Sequence, residues 1–100
     1  MLTSLRYFVE VVDRQGFTAA ANSLCVSQPT LTRSLQTLEQ RIGSQLIVRG
    51  ARGIELTTAG HLVLVRARMM LAEQDSMLKD LQAIKKRLPQ SVSVNAAPIT

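Results

Sequence analysis

Two amphipathic segments, FTAAANSL at residues 17–24 and QPTLTRSLQTLEQRI at 28–42, are joined by almost nothing, and that connection constrains the fold more than any other feature. Phe17, Ala20, Ala21 and Leu24 share one face of a helix, as do Leu31, Leu35, Leu38 and Ile42. With little more than Cys25 and Val26 between them, the two helices must meet at a large angle, as in a helix-turn-helix. The small side chains at 19 to 21 let a neighbouring helix axis come close, which a Leu or Phe there would prevent by overpacking. The ends of the second helix are marked: Ser27 can cap it, Pro29 sits where a missing N–H costs nothing, and Gly43 can take the left-handed conformation that stops it.

The flanking sequence supplies support for this pair. Leu5, Phe8, Val9 and Val12 predict a first helix over about Ser4–Arg14, broken by Gly16, and Thr18 is the expected N-cap of the second helix. After Gly43 the period shortens. Leu46–Val48 and Ile54–Leu56 are β-prone runs around Gly50-Ala51-Arg52-Gly53, which reads as a four-residue hairpin loop. A two-stranded hairpin is not stable alone, so it must lie on the helices with its tip projecting as a wing.

Thr57 then caps a helix running to about Arg87, roughly 45 Å long and more than a domain of about 57 residues can cover. Along it Val63, Met70, Met77 and Ile84 recur every seven residues, and Ala67, Gln74, Leu81 and Leu88 recur with an offset of four. This is a heptad seam with Gln74 as its one polar member, widened by Leu64, Leu71 and Leu78. Self-association is the natural way to bury it. Pro89 stops the helix, and SVSVN at 91–95 alternates like the first strand of a further unit. The expected architecture is mainly α: a winged helix-turn-helix over 1–57, a long linker or dimerisation helix over 58–88, and a hinge with one strand over 89–100.

Charge and reactive residues narrow the function. The net charge of +5 favours anionic partners, but the bases are spread along the chain rather than gathered in a tail. The single cysteine, Cys25, cannot form an internal disulfide; its neighbours Leu24 and Val26 suggest a packed position, which suits a reducing cytoplasm. Glu10 and Asp13 interrupt the only stretch resembling a signal core, and no run approaches the ~20 apolar residues of a membrane span. His61 is the only histidine and has no second ligand at metal-binding spacing; no phosphate loop or paired carboxylates appear. We therefore expect no enzyme, no metal and no cofactor in this chain.

What remains is the polar face of the third helix. With its leucines inward, Gln28, Pro29, Thr32, Arg33, Gln36 and Gln40 point outward. Gln offers a paired donor and acceptor to adenine, Arg a fork to guanine, and Thr a hydroxyl with a methyl for thymine. Arg49 and Arg52 flank the wing turn, where they can reach phosphates or a minor groove. Lys85, Lys86 and Arg87 sit in the last turn of the long helix, where cations suit the macrodipole.

At this point FTAAANSLCVSQPTLTRSLQTLEQRIG resembles the helix-turn-helix of the LysR-type transcriptional regulators. QLIVRGARGIELTTAG is similar to that family's wing and the start of its linker helix, and SVSVNAAPIT to the opening strand of its effector-binding domain. The run VSQPxLxRxxxxLE followed by LTxAG is the specific part. The resemblance implies a dimer through antiparallel linker helices on a partly palindromic site of double-stranded DNA, in the cytoplasm at the bacterial nucleoid. It also implies a small-molecule effector for the C-terminal domain, higher oligomers of the full-length protein, and contact with RNA polymerase. The DNA-binding residues expected are Ser27, Gln28, Pro29, Thr30, Thr32, Arg33, Gln36, Arg49, Arg52 and Gly53. The sequence departs from the family's pattern at Ile47, where Phe is usual, at Thr30 and Thr32, where Ala and Ser are common, and at Gln15, where Gly is common. The competing reading is a helical protein-interaction module that acts through the long amphipathic helix.

Overall fold

The computed structural model describes residues 1–87. Leu88 of the seam, Pro89 and the strand expected at 91–95 lie outside them.

Helix α1 spans Leu2–Arg14, two residues earlier than the apolar spacing suggests, and buries Leu5, Phe8 and Val11. The residue that ends it is not Gly16 but Gln15, held in the left-handed region at φ 60°. Gly16 instead caps α2, Phe17–Leu24, so Thr18 is inside the helix and not its cap. Ala20 and Ala21 are buried at the crossing, whereas Ala19 is exposed. Cys25 also carries a positive φ, 59°, which turns the chain sharply and leaves the thiol exposed rather than packed. Helix α3, Gln28–Ile42, begins as expected: the Thr30 N–H donates to the Ser27 hydroxyl at 3.2 Å, and Gly43 ends the helix at φ 82°. Leu31, Leu35 and Leu38 enter the core, but Ile42, expected there, is exposed at the end of the helix.

Strands β1, Ile47–Gly50, and β2, Gly53–Leu56, are antiparallel with Ile47 opposite Leu56 and Arg49 opposite Ile54. Gly50 pairs with Gly53, so the tip is a two-residue turn, Ala51-Arg52, and not a loop of four. Both tip residues keep negative φ; Gly53 takes the left-handed value of 110° that reverses the chain.

Helix α4, Thr58–Arg87, starts on the hairpin's base. The Thr57 N–H donates to the Leu46 carbonyl at 3.0 Å, and the Gly60 N–H donates to the Thr57 hydroxyl at 2.9 Å, which makes Thr57 the expected cap. Gly60 lies so close to Leu46 that a Cβ there would run into the Leu46 carbonyl. From this start α4 lies across α1. Ala67 is fully buried and Val63 and Leu64 pack against the same core, so the N-terminal part of the heptad seam is covered by the chain's own domain. Ala67 is therefore not available to a partner helix. Beyond it Met70, Met77, Leu81 and Ile84 are exposed.

Two surface ties fix the helices. Arg68 donates to both carboxylate oxygens of Asp13, at 2.7 and 3.3 Å, joining α4 to α1. Glu10 accepts from the Ser23 hydroxyl at 2.5 Å and from Arg14 at 2.8 Å, joining α1 to α2. The Arg68 hydrogen bond holds the Asp13 carboxyl below its ordinary value, and the Ser23 and Arg14 hydrogen bonds do the same for Glu10.

Gly60→Ala is expected to cost about 1–3 kcal/mol of stability, measured by urea unfolding, because the added methyl forces α4 off Leu46. Asp13→Asn should cost less than about 1 kcal/mol, since the pair is exposed. A carboxyl with a depressed folded pKa stabilises above its unfolded value and loses that contribution as pH falls through the folded value. The stability gap between wild type and Asp13→Asn should thus be full at neutral pH and close below the ordinary aspartate value near 3.8.

Candidate nucleic-acid interface

Polar side chains at the start of α3 are held by hydrogen bonds. Ser27 caps the first turn and also donates its hydroxyl proton to Thr30 at 2.9 Å. Gln28 is steadied from α2, donating to the Thr18 hydroxyl at 2.5 Å, so the residue that failed as a cap instead braces the recognition face. Capped and braced, the helix presents the backbone N–H of Gln28 and a partial positive charge at its N-terminus.

An open groove runs between α3 and β1. Gln28, Pro29, Thr32, Arg33 and Gln36 line one side, and Gln45, Val48 and Arg49 the other. All of these residues except Thr32 are exposed, and Thr32 is half-buried. The structure thus brings together six of the ten residues expected from sequence. Ser27 lies at the helix cap. Thr30 turns to the α1 side of α3, lining a shallow depression with Ser4, Arg33, Ser34 and Thr37. Arg52 and Gly53 are at the wing tip, away from the groove.

The two wing arginines differ. The Arg49 guanidinium lies 4.1 Å from the centroid of the Phe17 ring, a cation–π contact that pins the wing to the start of α2. Arg52 is exposed in the turn with no such tether.

Sequence reasoning missed the group that aligns the wing with the helix. Glu39 accepts from the backbone N–H groups of Leu46 at 2.7 Å and Ile47 at 3.2 Å. These donors would otherwise be orphaned at the start of β1. Two signals in the sequence pointed to Glu39: it is the sole acid on α3, and it is the last residue of the run VSQPxLxRxxxxLE. Among the described residues no three His, Cys, Asp or Glu side chains gather as a metal site, and no helix is long and apolar enough to cross a membrane.

Three helices on one core, a tight αL turn before a capped polar helix, and a hairpin stapled beside it define a winged helix-turn-helix. Residues 2–61 match the model of the bacterial regulatory helix-turn-helix proteins of the lysR family, and the chain belongs to that family. The HTH-type transcriptional regulator BenM of Acinetobacter baylyi is 42% identical over 90 residues, 87% of this chain and 30% of BenM. TfdT of Cupriavidus pinatubonensis, also an HTH-type transcriptional regulator, is 49% identical over 71 residues, 71% of this chain and 31% of TfdT. The chain thus spans about a third of the length of these relatives. The DNA-binding domain of BenM, solved in complex with catB site 1 DNA, superposes with a TM-score of 0.82 at 42% identity, covering 85% of this chain and 96% of that one. That of CbnR, also solved with DNA, gives 0.75 at 41% identity, covering 87% and 99%.

Glu39→Ala should destabilise the domain by about 1–3 kcal/mol, because two backbone donors lose their acceptor. Hydrogen exchange should speed up at Leu46 and Ile47 before it does at Leu31 or Leu35.

Proposed function

We propose that this chain is the operator-reading part of a transcription regulator that binds double-stranded DNA as a dimer, with α3 in the major groove and the wing tip on the adjacent backbone or minor groove. The observation that carries the reading is the braced polar start of α3, where exposed Gln28, Arg33 and Gln36 and half-buried Thr32 share one open groove with the wing. The DNA complexes of the BenM and CbnR domains, on the same fold, support it.

Contacts divide into two kinds. The positive end of the α3 dipole with the Gln28 N–H, Ser27 and Arg52 hold phosphates and set register, while the side chains of Gln28, Thr32 and Arg33 read base edges. Pro29 and Gln36 shape and extend the reading face. Thr30 is better placed for the phosphate flank. Arg49, stacked on Phe17, orients the wing as well as adding charge, and Gly53 sets the turn that projects Arg52. The dimer forms through the exposed apolar face of α4, from Leu62 and Val65 to Ile84. Such a module catalyses nothing itself. A small-molecule effector acting on the rest of the protein, higher oligomers, RNA polymerase contact and a cytoplasmic, nucleoid-bound location belong to the same reading.

Arg33→Ala is expected to cost about 1–3 kcal/mol on a matched operator and to relax base choice. Arg52→Ala should weaken binding evenly across sequences. Titrating both variants against matched and scrambled duplexes checks this; equal losses on the two DNAs for Arg33→Ala would contradict base reading. Binding should also fall steeply between about 50 and 200 mM salt as counterions are released. If α4 were instead the working surface of a protein-interaction module, the domain would show no salt-sensitive DNA binding at all.

A further inference from the structure

Among the described residues one buried side-chain polar atom has no hydrogen-bond partner: Oε1 of Gln74. It lies in a largely apolar groove between α1 and α4, with Leu2, Met69, Met70, Glu73 and Met77 around it. That oxygen, on a half-buried side chain, is shielded from water and has no donor within the single chain. The same residue is the one polar member of the heptad seam. The seam around it is exposed, with Met70 at 48%, Met77 at 51% and Leu81 at 46%.

A symmetric helix pair has one place where a residue meets its own copy, the two-fold axis. Helices of equal length overlap fully when that axis crosses their midpoint, which for Thr58–Arg87 falls between Ala72 and Glu73. Gln74 is beside it. In that arrangement two Gln74 residues are about three residue rises apart, ~4.5 Å along the axis, within reach of each other's amides. Parallel pairing would lay Lys85, Lys86 and Arg87 against their own copies. Antiparallel pairing separates these clusters and brings Asp80 near Arg66 of the second copy.

We infer that Gln74 fixes the register and orientation of the α4–α4 contact: its amide pairs with Gln74 of a second, antiparallel copy across the two-fold axis. The inference rests on the dimer proposed above. Seam packing alone does not choose a register, because Met and Leu tolerate neighbours of varied shape. A single polar residue at a core position does, since a slip of one helix past the other by a heptad, which carries the axis half a heptad toward the N-terminus, parts the two amides by ~15 Å and strands both in the seam.

The test uses the full chain with Cys25→Ser and a spin label at Lys86→Cys, on the outer face of α4, read by pulsed electron double resonance and sedimentation equilibrium. An axis within two or so residues of Gln74 sets the labels ~30–40 Å apart in one narrow population. Gln74→Leu should remain dimeric, with a dissociation constant about tenfold lower, and spread over several distances. Gln74→Asn, which keeps the amide, should retain the single population. A Gln74→Leu dimer with the wild-type distance, or a wild-type dimer with several, would overturn the role given to Gln74. A monomeric wild type at tens of micromolar would overturn the dimer reading itself, and the two failures are distinct.

Discussion

Three functional parts of this domain are tied together at one backbone position, Leu46. Its N–H is held by Glu39 from the end of α3, its carbonyl accepts the Thr57 N–H that begins α4, and its side chain is almost wholly buried. Gly60 presses on the same carbonyl. The recognition helix, the wing and the linker helix are therefore not three appendages of a core. They share one joint, and no part of it can shift without breaking a hydrogen bond or creating a clash.

Rigidity at that joint matters because base reading is a geometric task. Side chains on α3 discriminate bases only if the helix enters the groove at one angle, and the wing contributes only if its tip lies a fixed distance away. Glu39 supplies the second condition. The first comes from the opposite end of α3, where Ser27 caps the helix and Thr18 of α2 holds Gln28. A recognition face anchored at both ends needs little rearrangement on binding, and less conformational entropy is lost when DNA arrives.

Much of this was legible in the sequence, for identifiable reasons. Helices α1 to α3 follow from apolar spacing, and Ser27 and Gly43 mark the ends of α3 and Thr57 the start of α4 by cap chemistry that is local and therefore readable. What escaped was non-local or conformational. Cys25 looked packed because of its neighbours, but a left-handed backbone turns its side chain outward. Gln15 occupies a left-handed position that glycine takes more cheaply, and only the common Gly of related chains hints at it. The hairpin turn came out two residues long because Gly50 and Gly53 pair, a point that residue type alone does not decide. Of the candidate interface, the shared face of Gln28, Pro29, Thr32, Arg33 and Gln36 on α3 follows from helical spacing, whereas the turn of Thr30 toward α1 and the braces, Thr18, Glu39 and the Arg49–Phe17 stack, depend on which elements become neighbours.

The long helix shows the limit of periodicity most clearly. A heptad pattern reveals that a face must be covered but not by what. In α4 the answer changes along the helix: Val63, Leu64, Ala67 and Leu71 are covered by the domain itself, while Met70, Met77, Leu81 and Ile84 are left bare. The Asp13–Arg68 pair stands where the change occurs. One continuous helix thus serves as a core element at one end and offers a contact surface at the other. An α-helix transmits orientation over its whole length with little bending, so whatever pairs with the bare half is coupled mechanically to the reading head. In a symmetric assembly that coupling sets the separation and relative angle of two recognition helices. The spacing of operator half-sites is then determined as much by where two α4 helices cross as by any residue that touches DNA.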